Sequence, residues 1–218
     1  MQQKEKIIEC YNKTAGAYTL NFADELSKKP FDRILLEGFA YDNKNKKVAD
    51  FGCGPGQTTK FLKEAGISNI TGIDISPGMI KKARTVHPGI KFETGDMLDL
   101  KYKGEFFDSA IAFYAIVNFD YKHVRTAFEE INRVLKSGGQ FLFSFHVGEK
   151  KVHLASFLNE NVNIDFYFFN TDKIMDLLKK TGFIIITAAE RFPYENIEYP
   201  SKRAYILAEK TSPCIDTN

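Results

Sequence analysis

Tryptophan is absent from the 218 residues, and cysteine is scarce, limited to Cys10, Cys53 and Cys214. An odd, scattered set of three forms no disulfide framework and fits a reducing, cytoplasmic setting. No Cys/His cluster has metal-ligand spacing, so no metal site is expected. No apolar run reaches the roughly 20 residues needed to span a bilayer. The polar start, Met1-Gln2-Gln3-Lys4-Glu5-Lys6, lacks the apolar stretch of a signal peptide, so no membrane partner is expected. A dominant charge is missing too: 30 Lys and Arg against 28 Asp and Glu leave +2. That balance argues against a nucleic-acid partner. Repeats and low-complexity tracts are also absent. The chain does carry 44% hydrophobic residues, enough for the core of one α/β domain.

The most informative stretch runs from Val48 to Thr59. A short apolar run, Val48-Ala49-Asp50-Phe51, ends beside an acid, and Gly52, Gly54 and Gly56 follow at alternate positions. Thr58 to Ala65 then reads as a helix. This is the pattern of a buried strand, a tight loop and a helix N-terminus. Glycine lets a ligand approach the backbone, and the free N–H groups of the helix start attract anionic groups. An ordinary strand-to-helix turn with strain-relieving glycines would share the pattern. A dinucleotide fingerprint G-x-G-x-x-G needs glycine at position 57, where this chain has Gln57.

Two further strand ends carry acids. Asn69 to Ser76 reads as the second strand, with Asp74 falling 18 residues after Gly56. That spacing suits a carboxylate that accepts ribose hydroxyls. Ser76-Pro77 supplies a cap and first-turn proline for the next helix, leaving Asp74 for another task. Ile90 to Thr94 is the third strand, followed by Gly95-Asp96-Met97-Leu98. Asp96 either meets a ligand or bonds its own backbone as a loop aspartate.

The ordered set Asp50-to-Gly56, Asp74, Gly95-Asp96 and the later turn Leu135-Lys136-Ser137-Gly138-Gly139 resembles the class I S-adenosylmethionine-dependent methyltransferases, in particular their type 11-like members. The resemblance covers about residues 5 to 209. It implies a Rossmann-like three-layer sandwich: a mainly parallel seven-stranded sheet with one antiparallel C-terminal strand and helices on both faces. It also implies S-adenosylmethionine as cofactor and a small-molecule methyl acceptor as partner. The cofactor set it implies is Asp50, Phe51, Gly52, Cys53, Gly54, Gly56, Asp74, Ile75, Met79, Gly95, Asp96, Met97, Phe113 and Tyr18. In the family, the first acid lies near the methionine moiety, the second takes the ribose and the third takes the adenine amino group.

Taken in order, residues 4 to 18 read as a helix. Tyr11 and Tyr18 lie about two turns apart on one side, matching a family stretch in which the second tyrosine reaches the cofactor carboxylate; both rings could equally pack the helix onto the core. Pro30 to Tyr41 is a second helix with Phe31, Ile34, Leu35, Leu36 and Phe39 inward. Lys29 and Arg33 read as solvated. Phe106 to Tyr114 is strand four, and Phe113 and Tyr114 become site walls. The chain has Phe113-Tyr114-Ala115-Ile116 where amino-methylating relatives carry D/N-P-P-Y/F. Ala115 to Phe119 lies over the mouth, with Asn118 facing substrate. Tyr121 to Leu135 is amphipathic, stopped by a C-cap glycine. Phe141 to His146 is strand five. Val147 to Asn170 reads as irregular and, by the resemblance, as an acceptor-side insertion. Thr171-Asp172 caps a helix to Lys180. Phe183 to Ala188 and Arg203 to Ala208 close the sheet, and the tail after Lys210 frays.

The division expected is an N-terminal helical lid (1–42), a cofactor core (43–147), the insertion (148–170), and a C-terminal helix with closing strands (171–210). Catalysis rests on positioning, which can contribute roughly 7–11 kcal/mol at its limit. If a base is needed, His146, His123, His153 and Tyr114 are the candidates. Cys53, at a helix N-terminus, is a packing residue or a thiolate. Three alternatives stand beside this reading: an rRNA, tRNA or protein methyltransferase, an NAD-dependent oxidoreductase, and a non-catalytic cofactor-binding module.

Overall fold

The structure is a computed structural model, and it describes residues 3–211. Cys214 and the rest of the tail lie outside the described residues. In chain order the elements are α1 (Gln3–Phe22), a 3-10 turn (Glu25–Lys28), α2 (Pro30–Asn43), β1 (Lys47–Phe51), α3 (Gln57–Glu64), β2 (Asn69–Asp74), α4 (Pro77–Val86), β3 (Lys91–Thr94), β4 (Phe107–Phe113), α5 (Tyr121–Val134) and β5 (Leu135–His146). Then come β6 (Lys151–Phe157), β7 (Glu160–Tyr167), α6 (Thr171–Lys180), β8 (Phe183–Arg191) and β9 (Arg203–Lys210).

Seven strands form one sheet in the order β3-β2-β1-β4-β5-β9-β8. β9 runs antiparallel to both its neighbours, while the β3-to-β5 pairings are all parallel. Period-two alternation sorts the core into two layers. Ala49, Phe51, Ala110, Ala112, Phe141, Phe143 and Phe145 face α5 and α6. Val48, Ile70, Ile111 and Leu142 face α2 and α3. Helices therefore cover both faces, as expected. The strand order reverses between β1 and β4, so the loops at their carboxyl ends part and leave a crevice there.

Four local expectations change. The Gly138-Gly139 turn is not the cap of α5. Leu135 caps that helix in an extended conformation, and the pairing of β4 with β5 jumps from Phe107↔Leu135 to Ser109↔Gln140. Gly139 sits at this irregularity because a Cβ would lie 2.7 Å from the Lys136 carbonyl oxygen and 2.9 Å from that of Asp108. The stretch after β5 is not irregular, since β6 and β7 pair as an antiparallel hairpin. Asn170, one residue earlier than expected, caps α6 by accepting from the Lys173 N–H. On α2, Ile34 is exposed and Asp32 takes an inward position.

Candidate functional site

The rim of the crevice is built where β1, β2 and β3 end. Gly52 and Cys53 donate their N–H groups to the Ile73 carbonyl at 2.7 and 3.1 Å, which folds the glycine loop against β2. Gly52 has φ +69°, and a Cβ there would lie 2.4 Å from the Ala115 Cβ, so only glycine fits. Asp74 closes the loop. One carboxylate oxygen accepts the Gly54 N–H at 2.9 Å, and the other accepts the Ser76 N–H at 2.8 Å. Asp74 is thus not idle, although Ser76 caps α4 as expected. Each carboxylate oxygen keeps a further lone pair.

Asp50 lies beneath the loop, 1% exposed, and accepts from the Thr59 hydroxyl at 2.6 Å. Burial pushes its carboxyl up to about 7, against the pull of Thr59 and with a smaller push from Asp74. Burial raises Asp74 as well, opposed by the Ser76 and Gly54 N–H groups. Asp96 accepts the Leu98 N–H at 2.9 Å, a loop aspartate bonding its own backbone. Its second oxygen meets Lys4 of α1 at 2.8 Å.

These groups face a cavity of two lobes. The smaller, about 90 Å³, touches Asp74, Ile75, Met79, Gly95, Asp96 and Met97. The larger, about 480 Å³, touches Asp50, Cys53 and His146 and runs beneath the β6–β7 hairpin. Tyr11, Tyr18, Gly52, Gly54, Phe113 and Tyr114 wall both. Helix α1 roofs the crevice. Asn12 accepts the Ser76 hydroxyl and the Gly78 N–H, both at 2.8 Å. The Tyr11 hydroxyl donates to Asn118 at 2.8 Å, and Asn118 donates to the Asp165 carbonyl of β7 at 3.0 Å. Asn118 therefore braces the roof. The Tyr18 ring lies 4.4 Å from Phe22 and 6.4 Å from both Tyr11 and Phe157.

Of the expected residues, Phe51 also lines the smaller lobe, but Gly56 lines neither. It caps α3 with φ +90°, and a Cβ there would meet the Phe92 ring at 2.6 Å. His123 is outside the cavity as well, bonded at 2.7 Å to Asp120, the cap of its own helix. His153 is on the exposed hairpin, bonded to Asp165 at 2.9 Å. His146 does line the larger lobe, yet burial, with Arg203 and Lys29 nearby, pushes its imidazole down to about 3. The Tyr114 hydroxyl donates to Asp32 at 2.9 Å, and burial beside that carboxylate raises the phenol. Cys53 is a packing residue, its thiol raised by burial and then by Asp50 and Asp74.

Sequence reasoning missed a buried charge cluster behind Tyr114. Asp32, 0% exposed, accepts from Tyr205 at 2.8 Å and from Arg191 at 2.8 Å. Glu198 joins Arg191 to Arg203. Lys29 is buried rather than solvated, paired with Glu25 at 2.7 Å. One signal was present: Asp32 shares a helical stripe with Leu36, Phe39 and Asn43. Among the described residues, no group of His, Cys, Asp and Glu could hold a metal ion, and no helix is long and apolar enough to cross a membrane.

The open glycine of the loop suits the close approach of an adenosyl ligand. A Cβ on Gly54 would meet nothing within 4 Å, although the residue lines both lobes, so any side chain there would fill the space a ligand needs. The comparisons agree. Residues 48–139 match the family model described as a methyltransferase domain. The ubiquinone/menaquinone biosynthesis C-methyltransferase UbiE of Campylobacter jejuni is 30% identical, covering 97% of this chain and 90% of that protein. Among solved structures, the magnesium protoporphyrin IX methyltransferase ChlM of Synechocystis, with bound S-adenosylmethionine, has a TM-score of 0.73 at 16% identity, covering 97% of this chain and 98% of that one. A methyltransferase from Methanosarcina mazei has a TM-score of 0.69 at 19% identity, covering 78% and 94%. At those identities the structures speak for the fold. The curated relative speaks for kinship along nearly the whole length. By that kinship the chain belongs to the class I S-adenosylmethionine-dependent methyltransferases, and S-adenosylmethionine is its cofactor.

Proposed function

We propose that the enzyme methylates a small organic acceptor held in the larger lobe, with the cofactor held along the strand-end rim. The observation that carries this reading is Asp74. Its carboxylate faces the same cavity as Gly54 and Asp96, and its remaining lone pairs are free to accept the ribose hydroxyls. Asp96 and the Met97 N–H take the adenine edge, with Ile75 and Met79 against the ring. Asp50 supplies negative charge toward the methionine ammonium. Tyr18, whose phenol burial keeps protonated, donates toward the carboxylate. S-adenosylmethionine held there would supply an electrophilic methyl on a sulfonium, which would leave as a neutral thioether without help from an acid. The chain's contribution is to align the acceptor and exclude water, with Phe113 and Tyr114 as the wall between the lobes.

A small acceptor is supported by the enclosure of the lobe and by the near-even charge. The UbiE and ChlM relatives are also named for small organic molecules. The nicotinamide alternative loses its footing, since the dinucleotide loop needs glycine where this chain has Gln57, whose Nε2 donates to Glu25 at 2.9 Å. Helix α1 (Gln3–Phe22) acts as the roof and residues 148–170 as the acceptor-side wall. The unpaired Cys10 and Cys53 support a cytoplasmic location.

Incubation of the enzyme with methyl-labelled cofactor and a cell extract, followed by separation by product size, tests the reading. Label should enter the small-molecule fraction. Label confined to RNA or protein, or none despite tight cofactor binding, would contradict it.

A further inference from the structure

The larger lobe has two unlike walls. Val152, Leu154, Phe157, Phe166 and Phe168 make one side apolar and ring-rich. The other side carries Lys29, His146 and Arg203. Arg203 is 2% exposed, and its Nε finds no hydrogen-bond partner. A buried guanidinium donor left unpaired is costly, and the residue that carries it lines the lobe.

Its neighbours show which ligand would. One Arg203 terminal nitrogen donates to the Ser201 hydroxyl at 2.6 Å. That hydroxyl lies 2.9 Å from His146 Nδ1. Arginine can only donate, so Ser201 keeps its single proton for another acceptor, and His146 Nδ1 is within reach of it. With that proton given to Nδ1, the imidazole carries its own proton on Nε2 and acts there as a donor. The acids nearby are already engaged. Asp32 is held by Arg191 and two tyrosines, and Glu198 by Arg191 and the Tyr194 N–H. Lys29 and Arg203 both lie over the Tyr114 ring, at 5.1 and 5.8 Å. Lys150 lies 4.6 Å from the Phe168 ring. Around Arg203 and His146 the acids are thus engaged, and Gln57 Oε1 is an unpaired acceptor elsewhere in the lobe wall.

Building on the proposed use of the larger lobe, we propose that the methyl acceptor joins an apolar ring system to one oxyanion, and that Arg203, His146 and Lys29 hold the oxyanion. A carboxylate, an enolate or a phenolate would satisfy the same donors. An acceptor that enters already ionised also needs no general base from the chain, which agrees with the absence of a strong base at Tyr114 and His146.

Matched probes test this with S-adenosylhomocysteine bound: 1-naphthoate and its neutral analogue 1-naphthalenemethanol, followed by titration calorimetry. The wild-type enzyme should bind the carboxylate at least about tenfold tighter. Arg203→Met and Lys29→Met should each reduce that preference to about threefold or less while S-adenosylhomocysteine affinity is unchanged. Because Arg203 is buried and its replacement can disturb folding, His146→Phe serves as an independent arm and should reduce the preference as well. Equal affinity for the two probes, no binding of naphthoate, or a preference retained in Lys29→Met and His146→Phe would overturn the proposal. Cofactor binding is read separately, so loss of S-adenosylhomocysteine binding in the wild type would instead strike the rim assignment beneath it.

Discussion

The Asp74 carboxylate accepts the Gly54 N–H at 2.9 Å, joining the tip of β2 to the glycine loop that follows β1. One side chain thus shapes the loop and presents charge to the cavity. Asp74→Ala should weaken S-adenosylmethionine binding by about 10- to 100-fold, the range for losing hydrogen bonds to a charged group. Titration calorimetry reads this, and circular dichroism checks the fold. Unchanged affinity in a folded variant would remove Asp74 from the cofactor site.

Gly52 and Gly54 separate folding from binding. Both have positive φ, but a Cβ on Gly52 would strike Ala115 whereas one on Gly54 would enter open space. Gly52→Ala should cost about 1–3 kcal/mol of stability through strain and overpacking. Gly54→Ala should cost about 1 kcal/mol and lower cofactor affinity more than its stability loss explains. Urea unfolding beside calorimetry distinguishes the two, and matching profiles for both variants would contradict the assignment.

Asp50 makes a prediction with a definite sign. Its carboxyl is raised to about 7 in the folded chain, against about 3.9 unfolded. The folded state therefore binds the extra proton, and this contribution is fully present below about pH 4. It is lost as pH rises through about 7, by an amount of order a few kcal/mol. Melting of the ligand-free enzyme between about pH 5 and 8 should fall more steeply for wild type than for Asp50→Asn. A cationic cofactor favours the ionised form, so binding near pH 6.5 should release a proton, visible as a dependence of binding heat on buffer ionisation enthalpy. Parallel melting curves and no proton release would show that Asp50 ionises normally.

The buried cluster behind Tyr114 should reveal itself in stability. Removing Arg191 leaves Asp32 buried without its cation, and Arg191→Met should cost about 3–5 kcal/mol. Tyr205→Phe, which removes one of the hydroxyls bonded to Asp32, should cost about 1 kcal/mol. Chemical denaturation measures both, and a cost below that of Tyr205→Phe for Arg191→Met would mean the pair is not coupled as described.

Local patterns carried most of the architecture. The strand-loop-helix at Val48 to Ala65 and the acids at positions 50, 74 and 96 were legible because strand period, glycine spacing and helix capping are short-range signals. The β6–β7 hairpin was not read, although Val152 and Leu154 alternate with polar neighbours, because support such as the Tyr18 ring against Phe157 comes from far away in sequence. The Gly138-Gly139 turn was misread as a helix cap for a related reason. Its glycines answer to close approach by the Lys136 and Asp108 carbonyls, and the second of these contacts belongs to another strand. The Asp32–Arg191–Glu198–Arg203 cluster left only the stripe position of Asp32 as a signal, since its members meet only once β8, β9 and α2 are assembled. The surface position expected for Lys29 and the buried one expected for Ile34 failed together, the lysine drawn inward by Glu25 and the isoleucine left exposed.

A crystal structure of the enzyme with S-adenosylhomocysteine tests the central claim most directly. The account predicts both ribose hydroxyls within about 3.2 Å of the Asp74 carboxylate, with the adenine edge at Asp96 and Met97 and the sulfur facing the larger lobe. A ligand bound away from these strand ends, or with its ribose out of reach of Asp74, would contradict it.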